Sequence, residues 1–154
     1  MISIPPDRTI DIQHIVCDYN GTIAKDGILL PQVGEYFQKL HERYQVHVIT
    51  ADTFGSVRAQ LAGLPCEIKI LSSSDHTAEK AAFVRTLGTE NTLAIGNGSN
   101  DAKMLHEAAV GIALLGDEGC SKAAWMAADI VCKSIVEALE LVLFPKRLIA
   151  TLRT

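Results

Sequence analysis

The chain alternates between two kinds of segment, and that alternation constrains its fold more than any single residue does. Short apolar runs rich in β-branched residues read as strands: HIVCDYN (14–20), VHVIT (46–50), EIKIL (67–71), TLAIG (92–96), VGIAL (110–114) and DIVCK (129–133). Between them lie segments whose apolar positions recur every three to four residues. These predict helices over VGEYFQKLHERY (33–44), SVRAQLAGL (56–64), TAEKAAFVRTLG (77–88), NDAKMLHEA (100–108), CSKAAWMAA (120–128) and IVEALELVLF (135–144). Gly63 with Pro65, Gly88 and Pro145 mark three of the helix ends. Strands separated by helices require right-handed crossovers, so the expectation is an α/β fold with a mostly parallel central sheet and helices on both faces. No repeat, low-complexity tract or linker interrupts the pattern. At 154 residues, positions 1–154 are expected to form one core domain.

Bulk properties exclude several function classes. A net charge of −4 with no run of Lys or Arg excludes a broad nucleic-acid footprint. The longest apolar stretch, AAVGIALLG, is too short to cross a membrane, and the first residues lack the basic start and apolar core of a signal peptide. Cys17, Cys66, Cys120 and Cys132 are scattered, with no Cys-x-x-Cys pair, which excludes a zinc site and a disulfide framework. A reducing cytoplasm is the expected location. No two of the five histidines pair at metal-ligand spacing. Cys17 is not a cysteine-phosphatase nucleophile, because Ile23 stands where that loop needs Arg.

In open α/β sheets ligands bind beyond the carboxyl ends of the strands. That rule gathers Asp18, Thr50, Asp52 and the loop GNGSND (96–101) at one crevice, with Lys80 at the start of the helix that follows another strand. Singly, each has a plain structural reading: an Asx turn, a strand-terminal threonine, a solvated surface lysine, a glycine turn. Together they suit phosphoryl chemistry. A carboxylate can attack phosphorus, a lysine and a hydroxyl can hold phosphoryl oxygens, and Asn97 and Asp101 add hard oxygen donors of the kind Mg²⁺ takes. The glycine loop fails the dinucleotide fingerprint, because Asp101 stands at the third glycine position.

DYNGT, VITAD, Lys80 and GNGSNDAKML, in that order, resemble the four motifs of the haloacid dehalogenase-like superfamily, over nearly the whole chain. DYNGT, ITADT and GNGSND are most similar to the phosphorylation domain of P-type ATPases, especially its stand-alone soluble relatives; the tail RLIATLR fits that group too. The resemblance implies a three-layer Rossmann-like sandwich and Mg²⁺-dependent phosphoryl transfer through an aspartyl-phosphate on Asp18. It implies metal ligation by Asp18, the Asn20 carbonyl, Asn97 and Asp101. It implies substrate binding by Gly21, Thr50, Ala51 and Lys80, with Asp18, Asn20, Thr50 and Lys80 as the catalytic set.

Two positions depart from that pattern. The superfamily's phosphatases mostly carry Asp at position 20 as general acid and base. Asn20 cannot exchange a proton, and loss of such a group typically costs ~10²–10⁴ in rate. P-type ATPases also lack that acid, so Asn20 predicts a slow phosphatase or a persistent phospho-aspartate. Asn97 replaces a usual Asp, which predicts a weaker metal site. Asp52 and Asp101 are the candidates to activate water, and His76 lies one helical turn before Lys80. The gaps between Asp18, Thr50 and Lys80 are too short for a nucleotide-binding domain or a cap. IAKDGILLPQV is expected to form only a small β flap, turning at Asp26-Gly27. An uncapped site suits a phosphoprotein, or a phosphorylated small molecule closed off by a second copy. Self-association through the apolar helix 135–144 is expected. The alternatives are a capless sugar-phosphate phosphatase and a catalytically weak phosphate-binding or regulatory module of the same fold.

Overall fold

A computed structural model describes residues 1–52 and 55–154; Thr53, part of the ITADT match, lies outside them. The strands are β1 (Ile2–Ile4), β2 (Arg8–Ile10), β3 (His14–Asp18), β4 (Ala24–Lys25), β5 (Ile28–Leu29), β6 (Gln45–Thr50), β7 (Glu67–Ile70), β8 (Thr92–Gly96), β9 (Val110–Leu114) and β10 (Ile130–Cys132). The helices are α1 (Val33–Leu40), α2 (Ser56–Gln60), α3 (His76–Leu87), α4 (Ala102–Glu107), α5 (Lys122–Ala127), α6 (Ile135–Leu143) and α7 (Pro145–Leu152).

Six strands form one parallel sheet in the order β10-β9-β8-β3-β6-β7. From β3 the chain runs outward to β6 and β7, then returns to β8 on the other side and runs outward again. The reversal falls at β3, and in such sheets the ligand crevice opens beside the carboxyl end at the reversal. β8 and β9 are buried along their whole length, as strands covered on both faces must be.

The two faces have separate apolar clusters. Ile15, Cys17 and Tyr19 pack with Phe37, Leu40, Val57 and Leu139 on the side of α1, α2 and α6. Val16 packs with Ile49, Val84, Met104 and Leu105 on the side of α3 and α4. Each large side chain fully buried in these layers contributes about 1.5–3 kcal/mol. The strand period of two therefore puts Asp18 in the register of Val16, facing α3, while Cys17 is wholly buried in the opposite layer. That parity brings a strand-terminal carboxylate to the helix that carries Lys80.

The six predicted strands and the six predicted helices are all present, with ends shifted by a few residues. The flap is a two-stranded hairpin, β4–β5, and Asp26 (φ 52°) and Gly27 (φ 79°) both adopt the left-handed conformation its tight turn requires. Two elements were not expected. The antiparallel pair β1–β2 has three residues a side, too few for a periodic signal. Pro145 does end α6, but it also occupies the first turn of α7, where its missing N–H costs nothing. Ile135, Ala138, Leu139 and Val142 of α6 are buried within the chain. The apolar face on which expected self-association rested is thus already covered.

Candidate active site

The site grows from three strand ends. Asp18 closes β3, and Thr50 lies one residue beyond its partner Ile49 on the neighbouring β6. On the other side β8 ends at Gly96, followed by Asn97, Gly98 and a tight 3-10 turn, Ser99–Asp101. A fourth element supplies Lys80. Helix α3 begins at His76 because the Asp75 carboxylate accepts the Ala78 amide hydrogen at 3.1 Å, and Glu79 reaches back to the amides of Ser72 and Ser73. Lys80 then sits in the second turn of α3, pointing at the sheet.

Lys80 Nζ is the centre of the arrangement. It donates to Asp18 Oδ1 at 2.9 Å, to Asp101 Oδ1 at 2.8 Å and to Asn100 Oδ1 at 2.9 Å, so its three hydrogens meet three acceptors. Residue exposures are 8% for Asp18, 3% for Lys80 and 0% for Asp101, so these are buried charges. Burial works against the lysine's charge, but Asp18 and Asp101, by charge and by hydrogen bond, hold its pKa above the usual value. Burial first, and the Asp101 charge second, push the Asp18 carboxyl well above the usual carboxylate range despite the pull of Lys80. Two carboxylates share one ammonium. The surplus negative charge makes the site a seat for a further positive charge, from a proton or a metal ion.

Asp101 secures the loop. Its second oxygen accepts the backbone amides of Asn97 at 3.1 Å and Gly98 at 3.0 Å. Its carboxyl lies so close to Gly96 that a Cβ there would stand 2.5 Å from it. Gly21, at φ 79°, has the same relation to Asn97, whose amide would meet a Cβ at 2.3 Å. Asn97 Oδ1 accepts from the Thr22 hydroxyl at 3.2 Å, and its Nδ2 donates to the Gly119 carbonyl at 3.1 Å. Thr22 also reaches Asp18 Oδ2 at 3.4 Å. The Thr50 hydroxyl accepts the Asp52 amide at 3.2 Å, and the Asp52 carboxylate accepts from Ser56 and from the Val57 amide at the start of α2.

A cleft of about 240 Å³ opens over Asp18, lined by Asn20, Thr50, Ala51, His76, Lys80, Asn97 and Asn100 among others. Of the expected residues, Asp18, Asn20, Thr50, Ala51, Lys80 and Asn97 therefore meet at one opening. Two do not. Gly21 lines a neighbouring cavity between the flap and the loop after β9, not this cleft. Asp101 lies beneath the cleft with both oxygens engaged, so it holds Lys80 and the loop in place instead of offering a free ligand. Asn100, Thr22 and Asp75 were missed. Asn100 and Thr22 lie inside motifs already singled out, and Asp75 is an ordinary N-cap type two residues before the expected helix start.

Among the described residues no group of three or more His, Cys, Asp or Glu is arranged to hold a metal. What lines the cleft instead is one carboxylate, Asp18, with the carbonyl-bearing Asn20 and Asn97. That donor set consists of hard oxygens on a site with surplus negative charge, which suits Mg²⁺ and not a soft metal.

No protein-family model matches the chain. Among curated proteins, Uncharacterized protein MJ0073 of Methanocaldococcus jannaschii is 48% identical over 61 residues, which span 40% of this chain and 66% of that protein. The human protein named Probable phospholipid-transporting ATPase IM is 27% identical over 118 residues, 73% of this chain but only 10% of the ATPase. Solved structures match over nearly full length. The 3-deoxy-D-manno-octulosonate 8-phosphate phosphatase of Moraxella catarrhalis, in complex with magnesium ion, phosphate ion and KDO, superposes with a TM-score of 0.71 at 20% identity, covering 92% of this chain and 94% of that one. The cobalt-bound deoxy-D-mannose-octulosonate 8-phosphate phosphatase of Haemophilus influenzae gives 0.72 at 17% identity, covering 87% and 88%. A phosphoserine phosphatase gives 0.61 at 15%, covering 84% and 98%. The chain has the fold of the haloacid dehalogenase-like hydrolases.

Proposed function

We propose that this chain is a Mg²⁺-dependent phosphatase acting through an aspartyl-phosphate on Asp18, with a phosphorylated small molecule, a sugar phosphate in class, as its substrate. The observation that carries the reading is the buried Lys80 ammonium bridging Asp18 and Asp101 at the floor of an open cleft. The full-length likeness to octulosonate 8-phosphate phosphatases supports the sugar-phosphate alternative better than an ATPase-like activity. The similarity to the phospholipid-transporting ATPase spans a tenth of that protein.

Asp18, the carbonyl of Asn20 and Asn97 would hold the metal. When bound, Mg²⁺ would supply charge to neutralise phosphoryl oxygens. The residues of the chain do the rest. Lys80 keeps a fixed positive charge beside Asp18 and points at the oxygens that become more negative during transfer. The Thr50 hydroxyl and the Ala51 amide complete the cradle at the end of β6. Asp18 attacks phosphorus in line, the ester oxygen leaves, and water then cleaves the acyl phosphate. Gly21 and Gly96 serve the site by letting Asn97 and Asp101 approach the backbone closely. The chain works as one uncapped domain, with turnover slower than in a site that carries a carboxylic acid at position 20.

Hydrolysis of 4-nitrophenyl phosphate by the purified chain tests this reading. Turnover is expected with Mg²⁺, to be lost on chelation, and to fall at least a thousandfold in Asp18→Asn. Unchanged turnover in that variant would refute the assignment of Asp18.

A further inference from the structure

We propose that His76 is the general acid and base of this site, doing the proton transfer that Asn20 cannot do. The inference rests on the phosphatase reading above and adds a catalytic residue to it.

A two-step transfer through Asp18 needs a proton delivered to the departing ester oxygen and later removed from the attacking water. Asn20, at the mouth of the cleft, has none to exchange. Three described residues that line the cleft can titrate: Asp18, Lys80 and His76. Asp18 is the nucleophile. Lys80 has all three hydrogens committed to Asp18, Asp101 and Asn100, and its acidic neighbours hold the proton on it.

The two acids expected to activate water are engaged elsewhere. Asp101 is wholly buried, with both oxygens bonded. Asp52 does not line the cleft, and its carboxylate caps the start of α2 through Ser56 and Val57.

His76 differs from all of these. It is half-buried at the cleft, and its imidazole makes no hydrogen bond to a described residue. It lies four residues before Lys80 on α3, so both side chains leave the same helix face, one turn apart. Lys80 Nζ is bonded to Asp18, and the imidazole lines the same cleft one turn nearer the start of α3 and is less buried than Lys80. An imidazole nitrogen can both give and take a proton. The charged groups around it are Asp18 and Lys80 across the cleft and Asp75 and Glu79 on its own helix. Of these, Asp75 and Glu79 are turned to backbone amides.

Asp18 attacks phosphorus, the P–O ester bond breaks, and the imidazolium gives its proton to the ester oxygen, releasing an alcohol and neutral His76. A water then attacks the aspartyl-phosphate as neutral His76 takes its proton. Asp18 leaves as a carboxylate, inorganic phosphate forms, and the imidazolium is restored.

The test uses a pair of aryl phosphates of one shape, 4-nitrophenyl phosphate and unsubstituted phenyl phosphate, with Mg²⁺. 4-Nitrophenolate leaves readily without a proton and phenolate does not. In His76→Gln the ratio of kcat/KM for the nitrophenyl over the phenyl ester is expected to widen at least tenfold. Adding Asn20→Asp to that variant is expected to bring the ratio back, because the carboxyl takes over the proton. A purely structural role for His76 would lower both esters alike and would not be rescued. An unchanged ratio overturns the proposal but leaves the phosphatase reading intact, provided that Asp18→Asn is inactive. Undiminished turnover in Asp18→Asn would overturn both.

Discussion

β3 and β6 lie side by side, and their two ends are built on opposite principles. At the carboxyl ends, Asp18 bonds a buried ammonium and Thr50 lines the same cleft, and three charges sit within a cluster less than a tenth exposed. At the amino ends, His14 and His47 face each other at 3.1 Å between ring nitrogens, with Phe83 of α3 edge-on to His47. The sheet holds neutral imidazoles at one end and uncompensated charge at the other. Burial, and then the neighbouring ring of His14, depress the pKa of His47 to about 4. Burial and Asp101 raise that of Asp18. Where stability alone decides, a buried titratable group is kept neutral. Three buried charges at one strand end are the exception to that rule, and they mark the candidate site.

The largest effect should come from removing the ammonium. Lys80→Met leaves Asp18 and Asp101 facing each other without a counter-ion, and a loss of about 3–5 kcal/mol is expected in urea unfolding at pH 8. Asp18→Asn in the same chain should return a good part of it. A loss below about 1 kcal/mol would mean the three charges are not a unit.

The amino end should respond to pH in the opposite sense to the active-site end. The unfolded His47 titrates near 6.5 and the folded one at about 4, so the unfolded chain binds the proton first as pH falls. Its contribution is complete above pH 6.5 and is lost between 6.5 and 4, by about 3 kcal/mol at the full extent. His47→Leu should flatten that limb of the stability profile. An identical limb in the variant would assign it to other groups.

Asp18 has its folded pKa raised, so its charge weakens the fold at high pH and acidification relieves it. Asp18→Asn should therefore be more stable than the parent chain at pH 8, by an amount on the order of 1–2 kcal/mol, while losing activity. Equal stability would mean that Lys80 fully compensates the carboxylate. The smallest effect belongs to the helix that carries both Lys80 and His76. Asp75→Ala removes the cap of α3 and should cost about 1 kcal/mol, with a modest fall in turnover, read by thermal melting and steady-state kinetics.

How much of this was legible depended on what each residue's neighbours are. The four inner strands of the sheet, β9, β8, β3 and β6, announced themselves because both faces are covered, and β8 and β9 are buried end to end. Period two was enough to turn Cys17 into the core and Asp18 toward α3. The flap turn followed from Asp26-Gly27, whose positive φ angles few other pairs tolerate. The antiparallel pair β1–β2 and α7 were invisible, the first for its three-residue strands and the second because Pro145 serves two helices at once.

At the site, motif spacing anticipated that Asp18, Lys80 and Asp101 would meet. It did not anticipate that Lys80 would spend its third hydrogen on Asn100, or that Asp101 would be sealed below the cleft. Those outcomes depend on loop geometry, which spacing does not encode. The place of His76 one turn before Lys80 was legible, but that its imidazole bonds to no described residue depends on neighbours that spacing does not encode.

Chemical identification of the phosphorylated residue tests the central claim most directly. The chain is incubated with Mg²⁺ and 4-nitrophenyl phosphate, quenched in acid, reduced with borohydride and mapped by mass spectrometry. An acyl phosphate on Asp18 is reduced to homoserine, and that mass change at position 18, absent in Asp18→Asn, is the expected result. Turnover with the label on another residue, or with no acyl phosphate trapped in either the parent chain or the Lys80→Met variant, would contradict it.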